Sequence, residues 1–95
     1  MAELDLNEIR SRVDAIDEQL VSVLAARTQV IGEVVAFKRA QGGAIVDRAR
    51  EEAMLLRIQT VAEAKGLDPR IAREVLRSVI DAFTLLEIEH LGDDS

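Results

Sequence analysis

Apolar residues recur along the chain at steps of three and four, the spacing that places side chains on one face of an α-helix. In the first part of the chain the positions of this row are Ile9, Val13, Ile16, Leu20, Val23, Arg27, Ile31, Val34 and Lys38, of which all but Arg27 and Lys38 are apolar. The pattern predicts a first helix over Leu6–Gln41. Asp5, with Glu8 three residues later, provides a start signal that resembles a capping box, and Gly42-Gly43 provides the stop.

Two shorter helices are predicted after the glycine pair, each bounded by residues typical of helix ends. The second begins with Asp47 as its N-cap and ends near Lys65-Gly66. The third has Asp68 as its N-cap and Pro69 at its first position, with Gly92 expected beyond its end. The predicted fold class is therefore all-α, with one long and two shorter helices in a single domain over residues 1–95.

The length of the first helix predicts a partner. At about 1.5 Å per residue it would extend roughly 54 Å, whereas a compact globule of this chain length is about 32 Å across. Ile9, Val13 and Ile16 would then lie on an exposed apolar overhang, a feature that usually marks an interaction surface. The simplest partner is a second copy of the chain, which predicts an intertwined helical homodimer.

Composition excludes several classes of function. The net charge of −6 argues against nucleic-acid binding, which needs a basic surface. The chain has no cysteine, and its one histidine, His90, lies in a polar tail, so we expect neither a disulfide framework nor a metal site. The N-terminus has no signal-peptide pattern and the uninterrupted apolar runs are shorter than a membrane span. A soluble, cytoplasmic protein is the expectation.

Two cations interrupt the apolar row of the first helix. Arg27 and Lys38 are eleven residues apart, so they differ by only about 20° around the helix and lie about 16 Å apart along it. Ile31 and Val34 lie between them, and no acidic residue shares the row. Long basic side chains can extend from such a seam to solvent, but an unpaired buried charge costs several kcal/mol. We therefore predict a slot with an apolar floor and a positive group at each end, suited to an anionic ligand.

The other two helices offer groups that could complete this slot. One face of the second helix carries Asp47, Glu51, Met54 and Ile58, with Arg50 beside them. One stripe of the third helix carries Leu76, Ile80, Phe83 and Glu87. Plainer interpretations remain open at this point: Asp47 as a simple N-cap, Arg50 and Glu51 as a solvated first turn, and Glu87 as a surface residue near a helix end.

Four segments together resemble the all-helical (AroQ-type) chorismate mutase family, over essentially the whole chain. They are "IRSRVDAIDEQLVSVLAAR", "VVAFK", "DRAREE" and "VIDAFTLLE". Arg10, then Arg27 seventeen residues later and Lys38 eleven further, stand in the family's spacing without gaps. The Asp–x–x–Arg–Glu motif formed by Asp47, Arg50 and Glu51 does so as well.

The resemblance implies the rearrangement of chorismate to prephenate, on the way to Phe and Tyr, without a cofactor. It implies that Arg27 binds one carboxylate of this dicarboxylate substrate, and that Lys38 reaches its ether oxygen and its enolpyruvyl carboxylate. Arg10 points about 260° away from Arg27 around the helix, and in the family this arginine crosses to the partner's site. Lys38, Arg27 and Glu87 are thus the candidate catalytic residues.

The resemblance also implies contacts for the remainder of the substrate. Glu51, with Asp47 nearby, would recognise the C4 hydroxyl, and Arg50 would add positive potential. Val34, Ile80 and Phe83 are the candidate apolar contacts.

At two positions the chain departs from the common bacterial pattern. Glu87 stands where many bacterial members have Gln, although some fungal members also have Glu. An ionised Glu87 would repel the ether oxygen, so it must be protonated or turned onto Lys38. Phe83 stands where a small hydroxyl residue is common, which puts one carboxylate contact in doubt.

Three alternatives to a chorismate mutase stay open. Isochorismate pyruvate lyases share the Arg and Lys anchors, and Glu87 and Phe83 leave room for a 4-amino-4-deoxychorismate mutase of a secondary-metabolite pathway. Asp47 and Glu51 favour a C4-substituted chorismate only weakly. The third alternative is a helical dimer with weak activity of its own that serves as a partner of another shikimate-pathway enzyme.

Overall fold

The computed structural model describes residues 5–92, which form three α-helices and no strand. Helix α1 spans Leu6–Gln41, α2 spans Arg48–Lys65 and α3 spans Pro69–Gly92. The prediction of an all-α chain with one long and two shorter helices is confirmed. One boundary differs, because Gly92 is the last residue of α3 rather than the first residue beyond it.

Aspartate side chains cap the start of each helix, as predicted. Asp5 accepts a hydrogen bond from the backbone N–H of Asn7 at 2.9 Å. Asp47 has extended backbone angles (φ −127°, ψ 96°) and accepts from the N–H of Arg50 at 3.0 Å. Asp68 accepts from the N–H of Arg70 at 2.9 Å. Each aspartate therefore satisfies one of the backbone donors that the first turn of a helix leaves unpaired.

A glycine in the left-handed region ends α2. Gly66 has φ +78° and its N–H reaches back to the carbonyl oxygens of Ala62 and Glu63. A side chain at this φ would strain the backbone, so glycine suits the position. The chain then turns within Leu67 and Asp68 into α3, which holds α2 and α3 as neighbours along the chain.

The chain divides into two compact units, Met1–Glu33 and Val34–Ser95. Of the described residues of the first unit, all on or next to α1, none is buried. Its exposed large apolar residues are Leu6, Ile9, Val13, Ile16, Leu20, Val21, Val23, Leu24 and Val30. The apolar row predicted for this part of α1 is thus uncovered within one chain.

The second unit contains the end of α1 together with α2 and α3, and its core lies mainly between α2 and α3. Leu55 is 1% exposed, and Ala62, Ala72 and Ile80 are buried with it. Val35 is the one buried residue of α1. Burying a leucine of this kind stabilises a fold by about 1.5–3 kcal/mol, so the α2–α3 contact anchors the unit. The prediction of one domain over residues 1–95 stays a prediction.

By length and composition alone, α1 is long and apolar enough to cross a membrane. The sequence-based expectation counted uninterrupted apolar runs, which fall short of a membrane span, whereas a span tolerates an occasional charged residue. A helix that packs its apolar face against protein can have the same length and composition as a helix that spans a membrane.

Candidate active site

The last turns of α1 carry a lysine that meets a glutamate of α3. The Nζ atom of Lys38 lies 3.4 Å from Oε1 of Glu87, and the two side chains are 18% and 10% exposed. Lys38 follows the buried Val35 by one helical turn, and Glu87 follows the buried Ile80 by two. Burial of those two apolar residues therefore places the ammonium and the carboxylate at the same packed junction.

The distance between the Lys38 ammonium and the Glu87 carboxylate is long for an ion pair. Charge-assisted hydrogen bonds between nitrogen and oxygen are usually about 2.7–2.9 Å long, which is shorter than the 3.4 Å found here. A lysine ammonium is a compact charge on a flexible stem and can change partners. Lys38 is therefore satisfied without a ligand and yet able to turn to another anion.

A second contact joins the same two helix ends. The guanidinium of Arg39 donates a hydrogen bond to the backbone carbonyl oxygen of His90. Arg39 is the neighbour of Lys38, and His90 lies about one turn beyond Glu87. The contact uses the His90 backbone, while the His90 residue is exposed, as expected from its position.

Glu51, in the first turn of α2, is a buried carboxylate bound by two arginines. The residue is 7% exposed. Its Oε1 atom accepts from Nη2 of Arg77 at 2.5 Å and from Nη1 of Arg48 at 3.0 Å. The same Nη2 atom of Arg77 also donates to Oδ1 of Asp81 at 2.8 Å. Hydrogen bonds with Glu51 first, and then with Asp81, raise the pKa of Arg77, which keeps this guanidinium charged.

A cleft of about 260 Å³ opens beside Glu51, between the start of α2 and the middle of α3. Its lining consists of Val46, Arg48, Glu51, Asp81, Thr84 and Leu85. Apolar walls with a few polar groups are typical of small-molecule sites. Carboxylate acceptors, a guanidinium donor and a hydroxyl meet in this cleft, so it can bind a polar substituent of a ligand.

The residues predicted on α2 take different positions. Glu51 lines the cleft, whereas Asp47 holds the backbone N–H of Arg50 and the Arg50 residue is exposed. The arginine of α2 that reaches the Glu51 carboxylate is Arg48, three residues before it. Residues three apart share a helix face and adjacent residues do not, so this partner was visible in the spacing.

The predicted residues outside α2 divide between the two units. Lys38 and Glu87 are brought together, as described above. Ile80 is buried in the α2–α3 core, and Val34 and Phe83 are partly buried. In the first unit Arg10 is exposed and Arg27 is partly buried. The roles assigned to these residues stay predictions.

Sequence reasoning missed the flank of α3 that faces the start of α2. Arg77, Asp81 and Thr84 each follow by one position a residue of the predicted stripe, namely Leu76, Ile80 and Phe83. They form a row of their own at steps of four and three, and the i, i+4 spacing of Arg77 and Asp81 is the signal that could have identified it. Within residues 5–92 no cluster of three or more acidic or histidine side chains is arranged to bind a metal ion.

Comparison with known protein families decides the classification. The family model described as chorismate mutase type II matches residues 9–88. The chain belongs to this family. The matched range contains every residue predicted for the chorismate mutase site, from Arg10 to Glu87, and the resemblance seen in the four sequence segments is confirmed.

Individual chorismate mutase relatives differ in how much of their length corresponds to this chain. The T-protein of Enterobacter agglomerans is 34% identical over 76 residues, which cover 80% of this chain and 20% of that protein. The T-protein of Haemophilus influenzae is 32% identical over 72 residues, 76% of this chain and 19% of that protein. The chain thus spans about a fifth of the length of these T-proteins. The chorismate mutase of Methanocaldococcus jannaschii is 27% identical over 88 residues, 93% of this chain and 89% of that protein.

Proposed function

We propose that the chain is an isomerase that converts chorismate to prephenate, a step towards Phe and Tyr. The observation that carries the proposal is the part-buried ammonium of Lys38 held against Glu87, in a chain of the type II chorismate mutase family. The reaction is a [3,3] rearrangement within one molecule. It needs no nucleophile, no obligatory proton transfer and no cofactor, so binding and charge placement carry the catalysis.

Two physical effects supply the rate. The site holds the substrate in a compact chair-like conformer, which removes part of the entropic barrier. Negative charge then gathers on the ether oxygen as the C–O bond breaks, and Lys38 donates to that oxygen. One positioned donor of this kind is typically worth about 2.7–4 kcal/mol, or roughly 10²–10³ in rate. Arg27 binds a substrate carboxylate, as the family resemblance implies.

Glu87 must give up Lys38 when the substrate binds. The 3.4 Å separation of Nζ and Oε1 supports this exchange because it leaves the ammonium loosely bound. A protonated Glu87 can then donate to the ether oxygen, whereas an ionised Glu87 repels it. The proposal therefore requires that Glu87 release Lys38 to the substrate.

We further propose that the active form is an intertwined homodimer. The support is the exposed apolar face of α1, on which Ile16 is 58% and Leu20 is 55% exposed. A second copy offers the same face, so a two-fold interface would cover both. Arg10, exposed on this part of α1, would then contribute to the partner's site. A protein covered in this way needs no membrane, and a cytoplasmic location belongs to the same proposal.

Product identification by NMR tests the proposed reaction. Purified protein is incubated separately with chorismate, isochorismate and 4-amino-4-deoxychorismate. Prephenate from chorismate is the expected result. Pyruvate and salicylate from isochorismate, or conversion of the amino analogue alone, would replace the proposal by one of the enzyme alternatives. If none of the three is converted, the protein is not an independent mutase, and the role of a partner of another enzyme gains support.

A further inference from the structure

The two hydrogen bonds to the Glu51 carboxylate both end on the same oxygen. Arg77 and Arg48 donate to Oε1. Within residues 5–92, Oε2 accepts no hydrogen bond from a protein group. Because Glu51 lines the cleft and is 7% exposed, this second oxygen is an open acceptor at the cavity, where it can accept a hydrogen bond from a ligand.

The two arginines do not hold Glu51 equally. The side chain of Arg48 is 78% exposed, whereas that of Arg77 is 34% exposed. Exposed ion pairs contribute little because solvent and side-chain entropy oppose them. Arg77 also has a second partner, since its Nη2 atom donates to Oδ1 of Asp81 at 2.8 Å. Arg77 is therefore the group that sets the position of the Glu51 carboxylate.

We propose that Arg77 is a positioning residue that holds Glu51 through Oε1 and so presents Oε2 as a hydrogen-bond acceptor to a hydroxyl group of the substrate. This inference rests on the proposed function, because it concerns the C4 hydroxyl of chorismate. It assigns to Arg77 a part that the sequence motifs did not suggest. It also makes Glu51 an oriented acceptor rather than a mobile carboxylate.

The charges of the cluster favour a neutral donor. An ionised carboxylate only accepts hydrogen bonds, so an ether oxygen or a second carboxylate at this position would be left unpaired. Arg48 and Arg77 balance the charges of Glu51 and Asp81, so no net negative charge remains to prefer an ammonium group. A site built in this way discriminates against a substrate that lacks the hydroxyl, because the acceptor then has no partner on the ligand.

Steady-state kinetics with chorismate tests the inference through the variants Arg77→Gln, Arg77→Lys, Glu51→Gln and the double variant. Loss of a hydrogen bond to a charged group predicts that Arg77→Gln lowers kcat/KM roughly tenfold to a hundredfold. If Arg77 acts through Glu51, the double variant should be within about twofold of Glu51→Gln alone, because coupled residues are not additive. Arg77→Lys, which keeps a positive donor, should recover part of the loss.

Arg73→Gln is the matched control. Arg73 lies one turn before Arg77 on α3. Its Nη2 atom lies 2.9 Å from Oε2 of Glu52, the residue of α2 that follows Glu51. Its loss removes a similar link between the helices without touching the Glu51 cleft, so kcat/KM should stay within about twofold of the wild type. Circular dichroism checks that each variant is folded. If Arg77→Gln does not fold, Arg77→Lys is used for the test in its place.

Three results would overturn the inference. The first is that Arg77→Gln has the same kcat/KM as Arg73→Gln. The second is that the double variant loses the product of the two single-variant factors in kcat/KM, which would make Arg77 independent of Glu51. A wild-type protein that converts no chorismate would remove the proposed function and the inference together. In the first two results the wild type is active, so the two failures are distinguishable.

Discussion

Nζ of Lys38 and Oε1 of Glu87 lie 3.4 Å apart where the end of α1 meets α3, with both side chains largely withdrawn from solvent. The candidate site thus carries its own counterion. A substrate with negative charge must compete with Glu87 for the ammonium.

Replacing Glu87 by Gln should change how strongly the site binds its substrate. In the wild type the Glu87 carboxylate holds Lys38 and competes with the substrate for it. Gln keeps a donor at the same place and carries no negative charge. Glu87→Gln should therefore remain active in prephenate formation, with a lower KM for chorismate than the wild type.

The comparison of the two KM values makes this prediction decisive. A folded, active Glu87→Gln variant with the same KM as the wild type would exclude competition between Glu87 and the substrate for Lys38.

Complementation between chains tests the contribution of Arg10. Arg10→Ala and Lys38→Ala should each be inactive as homodimers. After unfolding and refolding together, half of the dimers should be mixed, and each mixed dimer should have one intact site with both residues. Activity should therefore return to roughly a quarter of the wild-type rate per chain if sites act independently. Arg12→Ala, two residues further along the exposed part of α1, is the control and should stay active by itself.

A measurement of molecular mass separates a dimer from the membrane alternative for α1. Light scattering of the detergent-free protein should give twice the mass of one 10.5 kDa chain. A monomer in solution, or a protein that is extracted only with detergent, would refute the proposed dimer. If the mixture of the two variants stays as inactive as its parents while the dimer is intact, Arg10 is not shared between chains.

The stability of the α3 start should depend on pH through Asp68. Hydrogen bonds from the side chain and the backbone N–H of Arg70 lower the pKa of Asp68 below its ordinary value of 3.8. A carboxylate with a depressed folded-state pKa stabilises the fold above its unfolded pKa, and this contribution is lost as pH falls through the folded value. Asn also caps helices, so Asp68→Asn removes the charge and retains a cap.

Thermal unfolding between pH 7 and pH 2 measures this contribution. The wild type should unfold at a higher temperature than Asp68→Asn at pH 5–7, and the difference should shrink below about pH 3.8. Arg70→Gln should reduce the wild-type advantage in the same range. A difference between wild type and Asp68→Asn that is constant down to pH 2 would contradict the role of the charge.

Much of the fold was predictable because the signals are local. Asp47 and Asp68 cap helices with their own side chains, and Gly66 adopts a left-handed conformation that other residues avoid. These signals depend on a few neighbouring residues only. Gly92 shows the limit of the approach, since a glycine can equally be the last residue of a helix.

The candidate site was predictable only in part, because it depends on how helices pack. The stripe of Ile80 and Glu87 could be read from the period of α3, but the period does not say which flank faces the start of α2. That flank carries Arg77 and Asp81, and their contact with Glu51 exists only once α2 and α3 are packed. The ion pair of Lys38 and Glu87 was anticipated as one of two options because both residues end apolar rows.

The rate of prephenate formation by Lys38→Met, compared with the wild type and with Lys65→Met, tests the central claim most directly. Lys65 is the only other lysine of the sequence and lies exposed at the end of α2. If Lys38 stabilises the charge on the ether oxygen, Lys38→Met should lower kcat roughly 10²–10³-fold while Lys65→Met stays near the wild type. A folded Lys38→Met variant that forms prephenate at the wild-type rate would contradict the proposed active site.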